Sequence, residues 1–370
     1  MFGNIYSGKR VLVTGHTGFK GSWLVLWLKQ LGAEVAGYAL PPPTTPSHYD
    51  LISPDINSIN GCILDPEKME RVFIDFSPEI VFHLAAQPLV RLSYTQPKET
   101  FETNVIGTVN VLDVCRRCSS VCAIVNITSD KCYENREWVW GYRENDAMGG
   151  YDPYSASKGC AELVASSYRN SFFNPSEYER KHHTLLASCR AGNVIGGGDW
   201  AKDRIVPDCI RALQAGAPIA VRNPSATRPW QHVLEPLSGY LWLAVRLAQT
   251  SASDAHLCST FNFGPVREAN RTVAELVTEL LKHWPGRWED KSDPKAVHEA
   301  NWLHLSTDKA DAILDWQPAW AFAETICQTA RWYQAAAKNA EGKKLDTLTR
   351  QQIDEYCQAA TAKQIAWAKI

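Results

Sequence analysis

Through its first half the chain alternates short apolar runs with longer stretches in which apolar residues recur at helical spacing. Arg10-Val11-Leu12-Val13-Thr14 is one such run, closed by Gly15. From Ser22 to Leu31, the residues Trp23, Leu24, Leu26, Trp27, Leu28 and Leu31 then fall at the spacing of a helix. The same alternation predicts strands over 34–40, 59–64, 79–84, 121–129 and 184–190, and helices over 66–76, 97–117 and 154–170. Strands that are apolar throughout, not only at every second position, are those buried on both faces. Strands that alternate with helices join in parallel. The expected fold is therefore α/β, a doubly wound parallel sheet with helices on both sides.

Beyond residue 190 the pattern loosens into Gly196-Gly197-Gly198, Pro-bounded segments and aromatic-rich patches, as in a smaller α/β lobe that faces a ligand. Segments 41–57 and 285–300, rich in proline or charge, read as surface loops. The stretch from about 337, with Lys343-Lys344, reads as a helical tail. No internal repeat is present.

Composition narrows the class. With 370 residues, 45% apolar and 21% charged, the chain is an ordinary globular one, and a formal charge of -2 gives nucleic acid or an anionic membrane surface no bulk attraction. The first residues lack the order of a signal peptide and no apolar run spans a bilayer, so a cytoplasmic protein is expected. Eleven cysteines are scattered through apolar segments, where cysteine acts as a small hydrophobe. One CxxC, Cys115-Arg116-Arg117-Cys118, has no second pair or histidine pair beside it, and no metal is expected.

The first chemical motif is Thr14-Gly15-His16-Thr17-Gly18-Phe19-Lys20-Gly21, between the first strand and its helix. Glycines there permit a tight turn and a close backbone approach to a pyrophosphate, whose charge a helix N-terminus favours. This predicts a Rossmann-type dinucleotide-binding domain over 1–188. The smaller substrate-binding lobe then spans mainly 189–335, with some segments returning to the first domain, and the helical tail spans 336–370. The second strand ends in Gly37-Tyr38-Ala39-Leu40, with neither an acid for a ribose hydroxyl nor an arginine for a 2′-phosphate; the missing arginine favours NAD. Asp65 is open to two readings, an adenine contact or the N-cap of a helix beginning at Pro66.

The second motif is Tyr154-Ser155-Ala156-Ser157-Lys158, whose tyrosine and lysine share a helix face. The third is Ser129-Asp130-Lys131 at the loop end of a central strand, where such sheets bind ligands. It supplies an acid and a candidate base, or else a surface ion pair.

Taken with His83-Leu84-Ala85-Ala86-Gln87, Thr103-Asn104-Val105-Ile106-Gly107-Thr108 and Arg190-Ala191-Gly192-Asn193-Val194, these motifs resemble the extended short-chain dehydrogenase/reductase superfamily that acts on nucleotide sugars, from about residue 9 to about residue 320. Ser129-Asp130-Lys131-Cys132-Tyr133, Gly196-Gly197-Gly198-Asp199-Trp200 and Arg228-Pro229-Trp230-Gln231-His232-Val233 carry the resemblance to its 4,6-dehydratases. The resemblance implies NAD held by Gly15, His16, Thr17, Gly18, Phe19, Lys20, Gly21, Tyr38, Asp65, Leu84, Ala85, Ala86, Asn104 and Thr128, with Tyr154 and Lys158. It implies that Lys158 holds the nicotinamide ribose and lowers the pKa of Tyr154, the proton acceptor at a sugar hydroxyl to which Ser129 also bonds. Lys131 would be the base and Asp130 the acid of a following elimination. For the substrate, CDP-glucose, it implies Gln87, Tyr94, Asn193, Arg204, Arg222 and Arg228, with Trp230 as a lining group. It further implies a homodimer or homotetramer built on helices 97–117 and 153–170, and a role in deoxysugar synthesis for surface polysaccharide, the lipopolysaccharide O-antigen included. A 4-epimerase or dehydrogenase of the same superfamily is the alternative activity.

Overall fold

The computed structural model describes residues 1–250, 252–292, 302–338 and 342–369. Its main sheet consists of β1 (Arg10–Thr14), β2 (Glu34–Ala39), β3 (Asn57–Asn60), β4 (Ile80–His83), β5 (Ala123–Ile127), β6 (Leu185–Ala191) and β7 (Thr260–Phe263). All six pairings are parallel, in the order β7-β6-β5-β4-β1-β2-β3. The order reverses between β1 and β4, and at such a switch point a crevice opens beyond the carboxyl ends of the strands.

The longer helices are α1 (Phe19–Gln30), α2 (Pro66–Phe76), α3 (Gly107–Arg117), α4 (Pro153–Ser171), α5 (Ile205–Gln214), α6 (Leu234–Ala248), α7 (Val273–His283), α8 (Phe322–Lys338) and α9 (Gly342–Ala362). Successive residues of a strand point to opposite faces, so each central strand feeds two cores. Val11, Val13, Ile80, Phe82 and Val125 join the core shared with α1, α6 and α8. Leu12, Val81 and Ile124 join the one closed by α2, α3 and α4. That double burial is why these strands are apolar at every position.

Two expectations are corrected. The third strand is Asn57–Asn60, not 59–64: it is a polar edge strand, and the apolar residue that suggested a later span, Ile63, packs instead where Gly107 leaves room, since a Cβ there would lie 2.3 Å from it. Region 97–117 is helical throughout, as expected, with a π-helical turn at Glu102–Ile106 that carries the buried Asn104. Region 41–57 is not merely surface, for Pro41, residues 43–48 and Leu51 line the main cleft. In 285–300, Trp288–Asp290 pairs with Ile219–Val221, while 293–300 lie outside the described residues.

The tail is sewn to α1 and α6 by aromatic rings and one buried acid. Tyr356 of α9 stacks on Trp367 with centroids 5.7 Å apart and meets Trp27 edge-on at 5.8 Å. Its hydroxyl donates to the Glu235 carboxylate at 2.6 Å, which also accepts the backbone N–H groups of Ala319 and Trp320. Burial pushes the Glu235 pKa up to about 7, against the pull of these three donors. Tyr356→Phe removes one donor from a buried carboxylate and should cost about 1–3 kcal/mol, read as a lower denaturant midpoint with an unchanged slope.

Candidate active site

The crevice above the switch point is a cleft of 2160 Å³. Its floor begins at the turn after β1. Gly15 has φ +77°, and a Cβ on it would sit 2.7 Å from the Ala85 nitrogen; a Cβ on Gly21 would sit 2.2 Å from the Gly15 carbonyl oxygen. Only glycine fits at either place. Thr14 completes the turn, its Oγ1 meeting His83 Nδ1 at 2.8 Å and accepting the Ala85 N–H at 3.2 Å, so that Leu84, Ala85 and Ala86 lie beside the glycine loop. Gly15, Thr17, Gly18, Phe19, Lys20, Gly21, Leu84, Ala85, Ala86 and Thr128 all line the cleft. A glycine cradle at the N-terminus of α1 is what a dinucleotide pyrophosphate requires, so these residues fit NAD.

His16, Tyr38 and Asn104, also expected around the cofactor, turn their side chains away from the cleft, and Asp65 makes the expected helix cap. His16 is buried behind the loop, its Nε2 2.8 Å from Ser58 Oγ and its ring occupying the space that a Cβ on Gly37 would need. The Tyr38 side chain fills the core beneath Gly61 and donates to the Cys62 carbonyl at 3.0 Å. Asp65 caps α2 by accepting the Lys68 N–H at 3.0 Å. Asn104 bridges behind the cleft wall, accepting the Gln87 N–H at 2.8 Å and donating to Ser157 Oγ at 2.8 Å. It ties the 84–87 loop to α4 without lining the cleft.

Asp152 caps α4 by accepting the Ser155 N–H at 2.9 Å, and Pro153 sets the first turn. Tyr154 and Lys158 therefore project one above the other into the cleft. Burial pushes the Tyr154 pKa up to about 12, and a Ser129 hydrogen bond and the Arg204 charge pull it down. The sequence reading gave that pull to Lys158. Burial instead lowers the Lys158 pKa to about 8, against the attraction of Glu162. Lys20 is lowered to about 8 by burial and by the neighbouring charges of Arg204 and Lys158, while Asp130 draws it upward.

Opposite this helix, β5 ends and the chain turns through Ser129 into a single 3-10 turn, Asp130–Cys132. Ser129, Asp130 and Lys131 all line the cleft. Asp130 is 2% exposed. One of its carboxylate oxygens accepts from Ser129 Oγ at 3.1 Å and the other, Oδ2, has no partner. A Cβ on Gly192 would come within 2.9 Å of that free oxygen, so glycine there leaves the acid open. Asp130 and Lys131 form no ion pair among the described residues.

Toward the mouth, Gln87, Asn193, Arg204, Arg222 and Arg228 line the cleft, and Tyr94 does not. The Gln87 amide turns back onto Leu89 and Thr100. Arg204 is held at 2.7 Å by Asp199, which raises its pKa further. Asp203 joins Arg222 at 2.8 Å and Arg91 at 3.4 Å, linking the two walls. Trp230 lines the cleft but is packed, donating to the Arg271 carbonyl at 2.9 Å. Sequence reasoning missed Arg91, Asp199 and Asp203. Asp199 was legible as the acid in Gly196-Gly197-Gly198-Asp199, whereas nothing local marks Arg91.

The family model for GDP-mannose 4,6 dehydratase matches residues 12–329. The chain is similar to the CDP-glucose 4,6-dehydratase of Salmonella typhimurium, with 51% identity over 97% of this chain and 99% of that protein. Among solved structures it resembles the UDP-glucose 4-epimerase of Thermus thermophilus in complex with NAD, with a TM-score of 0.75, 25% identity, and coverage of 88% of this chain and 99% of that one. It also has the fold of the dTDP-glucose 4,6-dehydratase of Bacillus anthracis, solved with NAD, at a TM-score of 0.73 and 20% identity, covering 90% of this chain and 98% of that one.

Proposed function

The chain belongs to the GDP-mannose 4,6 dehydratase family, and from that membership we propose that it is an NAD-dependent CDP-glucose 4,6-dehydratase, a hydro-lyase that forms CDP-4-dehydro-6-deoxyglucose and water. The observation that carries the reading is the facing of two devices in one cleft, the Tyr154/Lys158 helix and the Ser129-Asp130-Lys131 turn. Transfer of a hydride alone needs only the first.

Bound NAD supplies the hydride acceptor at sugar C4 and the donor at C6, with no net oxidation. Tyr154 takes the proton of the C4 hydroxyl, oriented by Ser129. A ketone at C4 makes the C5 proton acidic, and Lys131 removes it. Asp130 delivers a proton to the departing C6 hydroxyl, so that one water leaves, and the proton on Lys131 returns to C5 as C6 is reduced. The roles of Asp130 and Lys131 follow from their chemistry, the acid being buried with a free oxygen and the lysine half-exposed in the cleft. Arg204, Arg222 and Arg228, with Asn193, form the diphosphate end, where a planar guanidinium suits phosphate oxygens. The cytidine preference rests on the 51% identical relative.

Phe101, Ile106 and Leu163 are exposed on the paired helical segments 97–117 and 153–171, with Leu163 61% accessible. This apolar face supports a homodimer, or a dimer of dimers, formed through those helices. Leu112 of the same segment serves the core instead. No helix among the described residues is long and apolar enough to cross a membrane. A cytoplasmic place in deoxysugar synthesis for surface polysaccharide fits this chemistry.

Incubation with CDP-glucose and NAD, followed by mass spectrometry with parallel absorbance, tests the activity. Loss of one water without NADH build-up is expected, and faster with CDP-glucose than with the UDP, dTDP or GDP sugars. Unchanged mass with an inverted C4 centre would make it an epimerase, and steady NADH production a dehydrogenase.

A further inference from the structure

One ion pair lies wholly outside the cleft yet touches both of its devices. Glu162, one helical turn beyond Lys158 on α4, pairs with Arg190 of β6 at 3.0 Å, each side chain 1% exposed. Taking two charges out of water costs several kcal/mol per ion, which their attraction only roughly repays, so stability is a poor explanation for the pair. Its neighbours suggest another. Glu162 accepts the Thr128 hydroxyl through its other oxygen, and Thr128 is the residue before the Ser129–Cys132 turn. Arg190 donates to the Tyr133 hydroxyl at 2.7 Å, and Tyr133 is the residue after it. The Tyr133 hydroxyl donates in turn to Asn262 of β7 at 2.8 Å, and the guanidinium lies 4.8 Å from the centre of the Tyr133 ring.

Between these two anchors the backbone of the turn is held at Cys132, whose N–H donates to the Ser129 carbonyl at 3.2 Å and whose carbonyl accepts the Gly149 N–H at 2.9 Å, while the side chains of the acid and base make few bonds. Ser129 Oγ donates to Asp130 and accepts the Lys131 N–H at 3.3 Å, and Asp130 Oδ2 has no partner. The side chains of the acid and base are thus flanked on both sides, at Thr128 and Tyr133, by residues fastened to one ion pair that grows from the Tyr154 helix.

Resting on the dehydratase reading above, we propose that Glu162 and Arg190 are positioning residues that hold the Asp130–Lys131 turn in register with the Tyr154–Lys158 helix, and so make elimination follow C4 oxidation within one turnover. They touch neither sugar nor cofactor. Their effect on elimination reaches it through Thr128 and Tyr133, whereas the attraction of Glu162 for Lys158 bears on oxidation, and a shift of about 1 Å in a reacting group costs on the order of a hundredfold.

The test is Tyr133→Phe, which keeps the ring stacked on Tyr142 at 5.1 Å and removes the bonds to Arg190 and Asn262. In single turnovers with CDP-glucose and NAD, the rate of C4 oxidation should stay within about twofold of wild type while C5 proton exchange with deuterated solvent and water loss fall about ten- to a hundredfold. NADH should then accumulate where wild type shows none. Arg190→Lys keeps a positive charge beside Glu162 but loses the planar fork that also reaches Tyr133, should give the same split, and carries the test if the tyrosine variant does not fold. Both steps slowed equally, or neither slowed, in a folded variant would make the network plain scaffold and overturn the proposal. A wild-type protein that removes no water from CDP-glucose would instead overturn the reading beneath it.

Discussion

Tyr154→Phe is expected to cut turnover of the sugar nucleotide by about a hundred- to ten-thousandfold, the range that a positioned proton acceptor contributes. The loss should fall on C4 oxidation itself, because every later step waits for the ketone. The pH dependence carries its own sign. An acceptor works in its ionised form, and burial pushes the Tyr154 pKa up to about 12. Below that value the ionised fraction rises about tenfold per pH unit. Wild-type single-turnover oxidation should therefore climb with pH through neutrality and above, and the climb should vanish in the phenylalanine variant. Substrate affinity should change little, since one hydroxyl is removed from a large cleft. Wild-type turnover in the variant would take Tyr154 out of the mechanism.

Lys131→Ala should separate the two halves of the reaction. The side chain is half-exposed in the cleft and has no part in the packing of β5, so the variant should fold. C4 oxidation should persist while C5 proton exchange with solvent drops by about a hundredfold or more, the least a dedicated base supplies. The ketone would then be trapped with reduced cofactor, seen as an absorbance that wild type does not accumulate. Exchange at the wild-type rate would exclude Lys131 as the base and leave Asp130, with its unpartnered oxygen, as the group to change next.

Much of this architecture is legible in the sequence because its signals are local. Val11-Leu12-Val13 and Ile80-Val81-Phe82 must be apolar on both faces to sit in the middle of a covered sheet, so the central strands announce themselves. Gly15 is required by its φ of +77° and Gly21 by its approach to the Gly15 carbonyl, both within one turn, and Tyr154 and Lys158 by the pitch of one helix. What stayed hidden depends on partners far along the chain. The direction in which His16 points is decided by Gly37 and Ser58, and the role of Asn104 by a π turn and by Ser157. Arg91 meets Asp203 across the cleft, 112 positions away. No window of a dozen residues contains both members of such a pair.

The pairing of β7 with β6 bears on how the chain is made. Residues 185–191 are in place early in synthesis, but their outer edge is covered only by Thr260–Phe263, some seventy residues later. Until that segment leaves the ribosome, the nascent sheet carries an open, apolar border that other strands could join. Chains halted between the two strands should therefore be sticky and short-lived, and the interval is one in which a chaperone would have most to protect.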